Sequence, residues 1–107
     1  MRFHALELAL GIITILRELL PAIQRRDPKL ATHIRDAGSS VALNLGEGNR
    51  RSGRDGTHLW RVASGSAEEV RCALRVAVAW GHVDARAVAE ALDRIDHLQA
   101  MLWKLTR

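Results

Sequence analysis

The chain has 107 residues, of which 16 are Lys or Arg and 12 are Asp or Glu, for a formal net charge of +4 and a pI near 10.5. A single domain is expected at this length, burying about 65% of its unfolded surface in one core. The lone cysteine, Cys72, excludes an internal disulfide and fits a reducing, cytoplasmic compartment.

Val, Leu, Ile and Ala dominate, Tyr is absent, and only Pro21 and Pro28 carry helix-breaking rings. That is the composition of a helical protein. The first helix is expected from about Phe3 to Gln24, with Leu6, Leu10, Ile13, Leu16, Leu20 and Ile23 at helical spacing. Leu8, Ile12, Ile15 and Leu19 widen this stripe beyond one face, as in a helix buried on more than one side. The same stretch mimics a secretory signal, but Glu7 interrupts it, Arg17 and Glu18 end it, and no small-residue cleavage site follows. It is also too short and too charged to span a bilayer. Pro21 should kink or loosen the last turn.

Asp27 followed by Pro28 reads as an N-cap and first helical residue. The second helix then runs to about Glu47 on the apolar seam Leu30, Ile34, Ala37, Val41 and Leu45, with Gly48 as a left-handed stop. A turn over 48–56 leads to the third helix, with Ser52 and Asp55 competing as its N-cap. Its seam is Leu59, Ala63, Ser66, Val70, Ala73, Ala77 and Trp80, flanked by Trp60, Ala67, Leu74 and Val78, and Gly81 ends it. Asp84 caps a fourth helix to about Leu105, with Val88, Leu92, Ile95, Leu98, Leu102 and Leu105 inward. No strand-like alternation, linker, low-complexity run or repeat is present. Four helices of similar length joined by short turns give one all-α domain over 1–107, an antiparallel up-down-up-down four-helix bundle. One end then collects Arg2, Arg50, Arg51, Arg54, Lys104 and Arg107; the other holds Arg25, Arg26 and Lys29 with Asp27 and Asp84.

The stretch 33–54 carries two seams. His33, Ser40, Asn44 and Glu47 form a polar stripe separate from the apolar one, and an arginine-rich turn follows. Asn44-Leu45-Gly46-Glu47-Gly48 and the basic residues after it resemble the Asn-Ile-Ala-Glu-Gly signature of the four-helix bundle proteins encoded in intervening sequences of 23S ribosomal RNA genes. The likeness extends upstream through Ala37, Ser40 and Val41, downstream through Arg51, Ser52, Leu59, Ala63, Gly65, Ser66 and Glu69, and to Met101-Leu102, about two-thirds of the chain. Departures are Leu45-Gly46 where the family has Ile-Ala, and His33 where it often has Gln. The resemblance implies an antiparallel bundle assembled as a barrel-like homopentamer. A related branch, the accessory variability protein of diversity-generating retroelements, binds nucleic acid and a partner reverse transcriptase through basic surfaces. No biochemical activity is established for the ribosomal branch.

The residues themselves offer one binding surface. Arg54, His58 and Arg61 share a face of the third helix and continue the surface begun by Asn49, Arg50 and Arg51. Guanidinium forks match phosphate oxygens, and amides at a helix start favour anions. The expectation is contact with the phosphate backbone of RNA or DNA without base specificity, since no recognised reading motif is present and exposed aromatic platforms are scarce. The polar stripe His33, Ser40, Asn44 and Glu47 reads instead as a hydrogen-bonded network that fixes helix or subunit register, with Ser64, Ser66 or Glu69 as partners and Arg50 or Arg51 compensating Glu47. No metal site is expected, because paired Glu-x-x-His repeats are absent and Asp55-x-x-His58 reads as a cap and a surface histidine. Asp93, Asp96 and His97 read as a solvated face. Gly46-x-Gly48 lacks the strand and third glycine of a dinucleotide loop, and Cys72 reads as a small packing residue. No catalytic arrangement and no cofactor are expected. Leu8, Ile12, Ile15 and Leu19, with Trp60 and Trp103, look like surplus apolar surface that marks a homo-oligomer interface. The competing expectation is a protein-interaction scaffold without nucleic-acid contact.

Overall fold

A computed structural model describes residues 3–51 and 53–107. They form α1 (His4–Arg26), α2 (Pro28–Arg50), α3 (Gly53–Ala79) and α4 (Ala85–Thr106), and no strand occurs among them. Each helix packs against its neighbours in chain order, and the ring closes through α1 and α4. The result is an antiparallel bundle with extents of 42 × 22 × 22 Å, one helix long and about two helix diameters wide.

Local chemistry sets most of the boundaries. Asp27 alone separates α1 from α2. Its Oδ1 accepts the Leu30 amide at 3.1 Å, with Pro28 in the first turn. Its Oδ2 lies 3.2 Å from Nε2 of His82 in the α3–α4 turn, so one carboxylate caps a helix and ties two turns together. Gly81, at φ +79°, closes α3: its amide bonds the Val78 carbonyl and the His82 amide bonds that of Ala77, a Schellman arrangement. Asp84 then caps α4 by accepting the Ala87 amide at 2.8 Å. Pro21 lies inside α1, which continues two residues beyond the expected Gln24.

The core is one cluster, and its largest fully buried side chains include Ile23, Ile34, Leu45, Leu74, Ile95, Leu98 and Leu102. Several seams differ from the periodicity reading. In α1 the buried line is Ala5, Ala9, Ile12, Leu16, Leu20 and Ile23; Leu10 is exposed, while Leu6 and Ile13 are half-buried. Ala5 and Ala9 take the inward positions of the first turns, with Leu6 and Leu8 half-buried beside them. Leu8, Ile15 and Leu19 lie against this same core and Ile12 is inside it, so they are not surplus. The exposed large apolar side chains are Leu10, Leu43, Val62, Val76, Trp80, Trp103 and Leu105. Trp80 and Leu105 therefore leave the seams assigned to them, with Ala77 and Thr106 holding the inward ends of α3 and α4. Cys72 is exposed rather than packed.

The junction of α2 and α3 holds the largest correction. Gly48 is not a left-handed stop; it is helical and buried, and α2 continues to Arg50. A Cβ on Gly48 would lie 2.6 Å from the Trp60 indole and 3.0 Å from the Gly56 carbonyl. A Cβ on Gly56 would lie 2.7 Å from the Gly48 carbonyl and 2.9 Å from that of Arg51. The two backbones touch, which requires hydrogen in place of a side chain at both positions. Asp55 lies within the first turn of α3 and is not its cap, because the helix already starts at Gly53. Ser52, the competing cap, and Arg2 lie outside the described residues.

Two glycine substitutions should act in opposite directions. Gly48→Ala forces the indole off its seat and should cost about 1–3 kcal/mol. Gly46, two residues earlier in α2, has open space around a new Cβ, so Gly46→Ala should add about 0.5–1 kcal/mol through helix propensity. Urea denaturation of both variants checks the pair; equal effects on the midpoint would refute the close contact.

Candidate nucleic-acid interface

The α2–α3 junction delivers the arginines to one end of the bundle. Phe3, just before α1, sits against Trp60 of α3 with ring centroids 5.2 Å apart. Nη2 of Arg61 donates to the Thr106 carbonyl at the end of α4, at 2.6 Å. The start of α1, the α2–α3 turn and the end of α4 therefore share one pole. The Trp60 indole N–H is buried and has no acceptor among the described residues, a cost accepted where the ring covers Gly48.

Asn49, Arg50, Arg51, Arg54, His58 and Arg61 are all exposed at or near this pole. Their electrostatic states differ. Nε and Nη2 of Arg51 both donate to Oε1 of Glu47, at 3.1 and 2.9 Å, so this pair is largely self-neutralised. Arg50 and Arg54 have no carboxylate partner among the described residues. Arg61 shields the terminal carbonyls of α4, where a cation offsets the negative end of the helix dipole, and keeps further N–H donors. Arg54 lies in the first turn of α3 together with Asp55, whose carboxylate faces the positive end of the helix dipole and trims the local positive field. Lys104 and Arg107 lie exposed at the end of α4.

The polar stripe resolves into three separate contacts. Ser40 and Ser66 share a hydrogen bond of 2.9 Å across α2 and α3, and Nδ2 of Asn44 donates to Oγ and to the carbonyl of Ser40. This half-buried knot lies between the helices, and Ser66 is buried. His33 lies 3.5 Å from Glu69 with both side chains more than half exposed. Glu47 faces the Arg51 pair described above. Ser64 joins none of these and lines a groove between α3 and α4 instead. The Ser40–Ser66 knot holds α2 and α3 in register below the arginines, and the outer two contacts are solvent-screened.

The α3–α4 face carries polar pairs that the sequence pattern did not single out. Arg71 bonds Asp96 at 2.9 Å, Gln99 donates to Glu68 at 3.0 Å, and the Cys72 thiol reaches Glu68 at 3.4 Å. The bonds from Gln99 and Cys72 hold the Glu68 carboxyl below its ordinary range, and the same carboxylate raises the Cys72 thiol. Only the i, i+4 link from Glu68 to Cys72 was readable from spacing; the cross-helix pairs needed the helix register. Among the described residues no group of three or more His, Cys, Asp or Glu is placed to hold a metal ion, and no helix is long and apolar enough to cross a membrane.

Comparisons with known proteins bear on the family and the fold. A family model described as 23S rRNA-intervening sequence protein matches residues 3–104. A crystal structure from Bacteroides thetaiotaomicron VPI-5482, described as a protein with unknown function from the S23 ribosomal protein family, superposes with a TM-score of 0.88. The match covers 96% of this chain and 98% of that one at 13% identity, a likeness of fold alone. No curated protein matches the sequence.

Ser66→Ala removes one partner of the interhelical knot and should lower stability by about 1 kcal/mol. Glu47→Gln should move it by less than about 0.5 kcal/mol, because its pair is exposed. Thermal or urea unfolding ranks the two; the reverse order would show that the surface pair, not the knot, sets the register.

Proposed function

The chain belongs to the 23S rRNA-intervening sequence protein family, and from that premise we propose that it binds the phosphate backbone of nucleic acid, without base specificity, through its arginine-bearing pole. The observation that supports this reading is the pairing pattern. Arg50 and Arg54 flank the α2–α3 turn without carboxylate partners among the described residues, with His58, Arg61, Lys104 and Arg107 exposed at or near the same pole and Asn49 adding an amide donor. Unneutralised guanidinium groups on a rigid turn are suited to phosphate oxygens, and their number sets the salt dependence of binding. Contacts of this kind carry no sequence information.

We also propose that the chain works as a homo-oligomer, a pentamer being the form implied by the family resemblance. Leu43 is 71% exposed on α2, and Val76 opens onto the groove between α2 and α3 that also holds Leu30 and Ala73. A ring of copies repeats the arginine pole by symmetry, so that weak individual phosphate contacts act together. The reading places the protein as an accessory factor in an RNA process or beside a reverse transcriptase. The alternative is a protein-interaction scaffold, which the same exposed apolar side chains favour.

Titration of labelled RNA and DNA at low and at physiological salt checks the first reading. Affinity should fall steeply with salt, and Arg50→Ala and Arg54→Ala should each reduce the slope by about one. Absence of binding to either polymer at low salt would overturn it and leave the scaffold. Sedimentation checks the assembly: the wild type should run above monomer mass and Leu43→Glu should shift it toward monomer, whereas a folded wild-type monomer at micromolar concentration would exclude the oligomer.

A further inference from the structure

Trp103 stands out on α4. It is 64% exposed in the last turns of a helix whose other bulky residues mostly face the core. It borders a groove of roughly 530 Å³ between α3 and α4, shared with Arg61, Ser64, Gly65, Glu68 and Gln99. The groove opens toward the arginine pole, because Arg61 is both one of its walls and the residue anchored to the Thr106 carbonyl. Gly65 gives the floor no side chain, and the space above it is open.

We propose that this groove seats an unpaired nucleobase against the Trp103 indole, so that the protein's partner is single-stranded nucleic acid rather than duplex. The inference rests on the phosphate-binding reading above and adds the class of strand. An indole face offers dispersion and π-stacking to any base, which suits a site without sequence preference. Arg61 is pre-positioned by its bond to Thr106 and retains donors for the phosphate next to the stacked base. Lys104 and Arg107 follow Trp103 along the same helix end and extend the cationic track. Glu68 sits in the groove with its charge held by Gln99 and Cys72, which repels a phosphate and leaves that part of the groove to the neutral base. Ser64 and the Gln99 carbonyl can bond a base edge in more than one way, consistent with tolerance. A duplex keeps its bases stacked internally and cannot present one to the indole without unpairing.

Fluorescence anisotropy with a twelve-nucleotide RNA and its duplex, at one salt concentration, tests the proposal on the full chain. The wild type should prefer the single strand, and Trp103→Ala should lose about tenfold on the single strand alone. Trp103→Phe should retain most of the affinity. Trp80→Ala removes an indole of similar exposure at the opposite pole and should change nothing. In a Trp60→Phe, Trp80→Phe background, the remaining Trp103 fluorescence should be quenched by the single strand. Equal effects of Trp103→Ala on both forms, no effect on either, or a change in sedimenting mass would overturn the proposal while leaving the arginine pole intact as a phosphate site. Loss of binding on Arg50→Glu with Arg54→Glu, alongside an unchanged Trp103→Ala, separates the two readings. A wild type that binds neither form overturns both.

Discussion

At the α2–α3 junction two backbones meet without side chains between them, and the functional pole is built around that contact. Gly48 and Gly56 bring a carbonyl of each helix against the other strand of backbone, and the Trp60 indole closes over Gly48. Phe3 then seats on Trp60, which fixes where α1 begins. One residue further along α3, Arg61 reaches the Thr106 carbonyl at the end of α4. A side chain at Gly48 or Gly56 would clash with the facing backbone and the indole, push α2 away from α3 and loosen each of these contacts in turn. The arginines of the turn stay exposed, as charges without buried partners must.

The far pole is organised by a different device. Both carboxylate oxygens of Asp27 are engaged, one with the Leu30 amide and one with His82, so the α1–α2 turn and the α3–α4 turn are joined by a single side chain. Midway, the Ser40–Ser66–Asn44 knot sets the relative height of α2 and α3. Buried polar bonds of this kind specify one packing among several that hydrophobic burial alone would tolerate. Glycine contact at one pole, hydroxyl knot in the middle and carboxylate link at the other give α2 and α3 no freedom to slide.

The bundle itself was legible in the sequence because its boundaries are local chemistry. Asp27 before Pro28, Asp84 before the last apolar run, and Gly81 after Ala77 each act through bonds to residues a few positions away, and each does so in the structure. The i, i+4 spacing of Glu47 and Arg51 was readable for the same reason. What failed were readings that depend on a neighbour. Gly48 suggests a stop because glycine favours positive φ, yet its use here is the absent Cβ, and only the position of Trp60 distinguishes the two. Periodicity puts Leu6 and Leu10 in the α1 seam, whereas Ala5 and Ala9, one position away, are the residues buried. The groove that Trp103 shares with Arg61, Glu68 and Gln99 depends on how α3 sits beside α4, which spacing along one helix does not give. The arginine turn was visible as a run of charge; which members are paired was not, because that depends on where the carboxylates of α2 end up.

The antiparallel count of four helices places Phe3 and Arg107 at the pole that carries the arginines. An affinity tag, fluorophore or fused protein placed beside Phe3 or Arg107 therefore lies next to the charged surface. The turn from Trp80 to Asp84 lies a full helix length away, beyond the reach of that obstruction. A label or surface tether introduced there leaves the arginine turn facing open solvent.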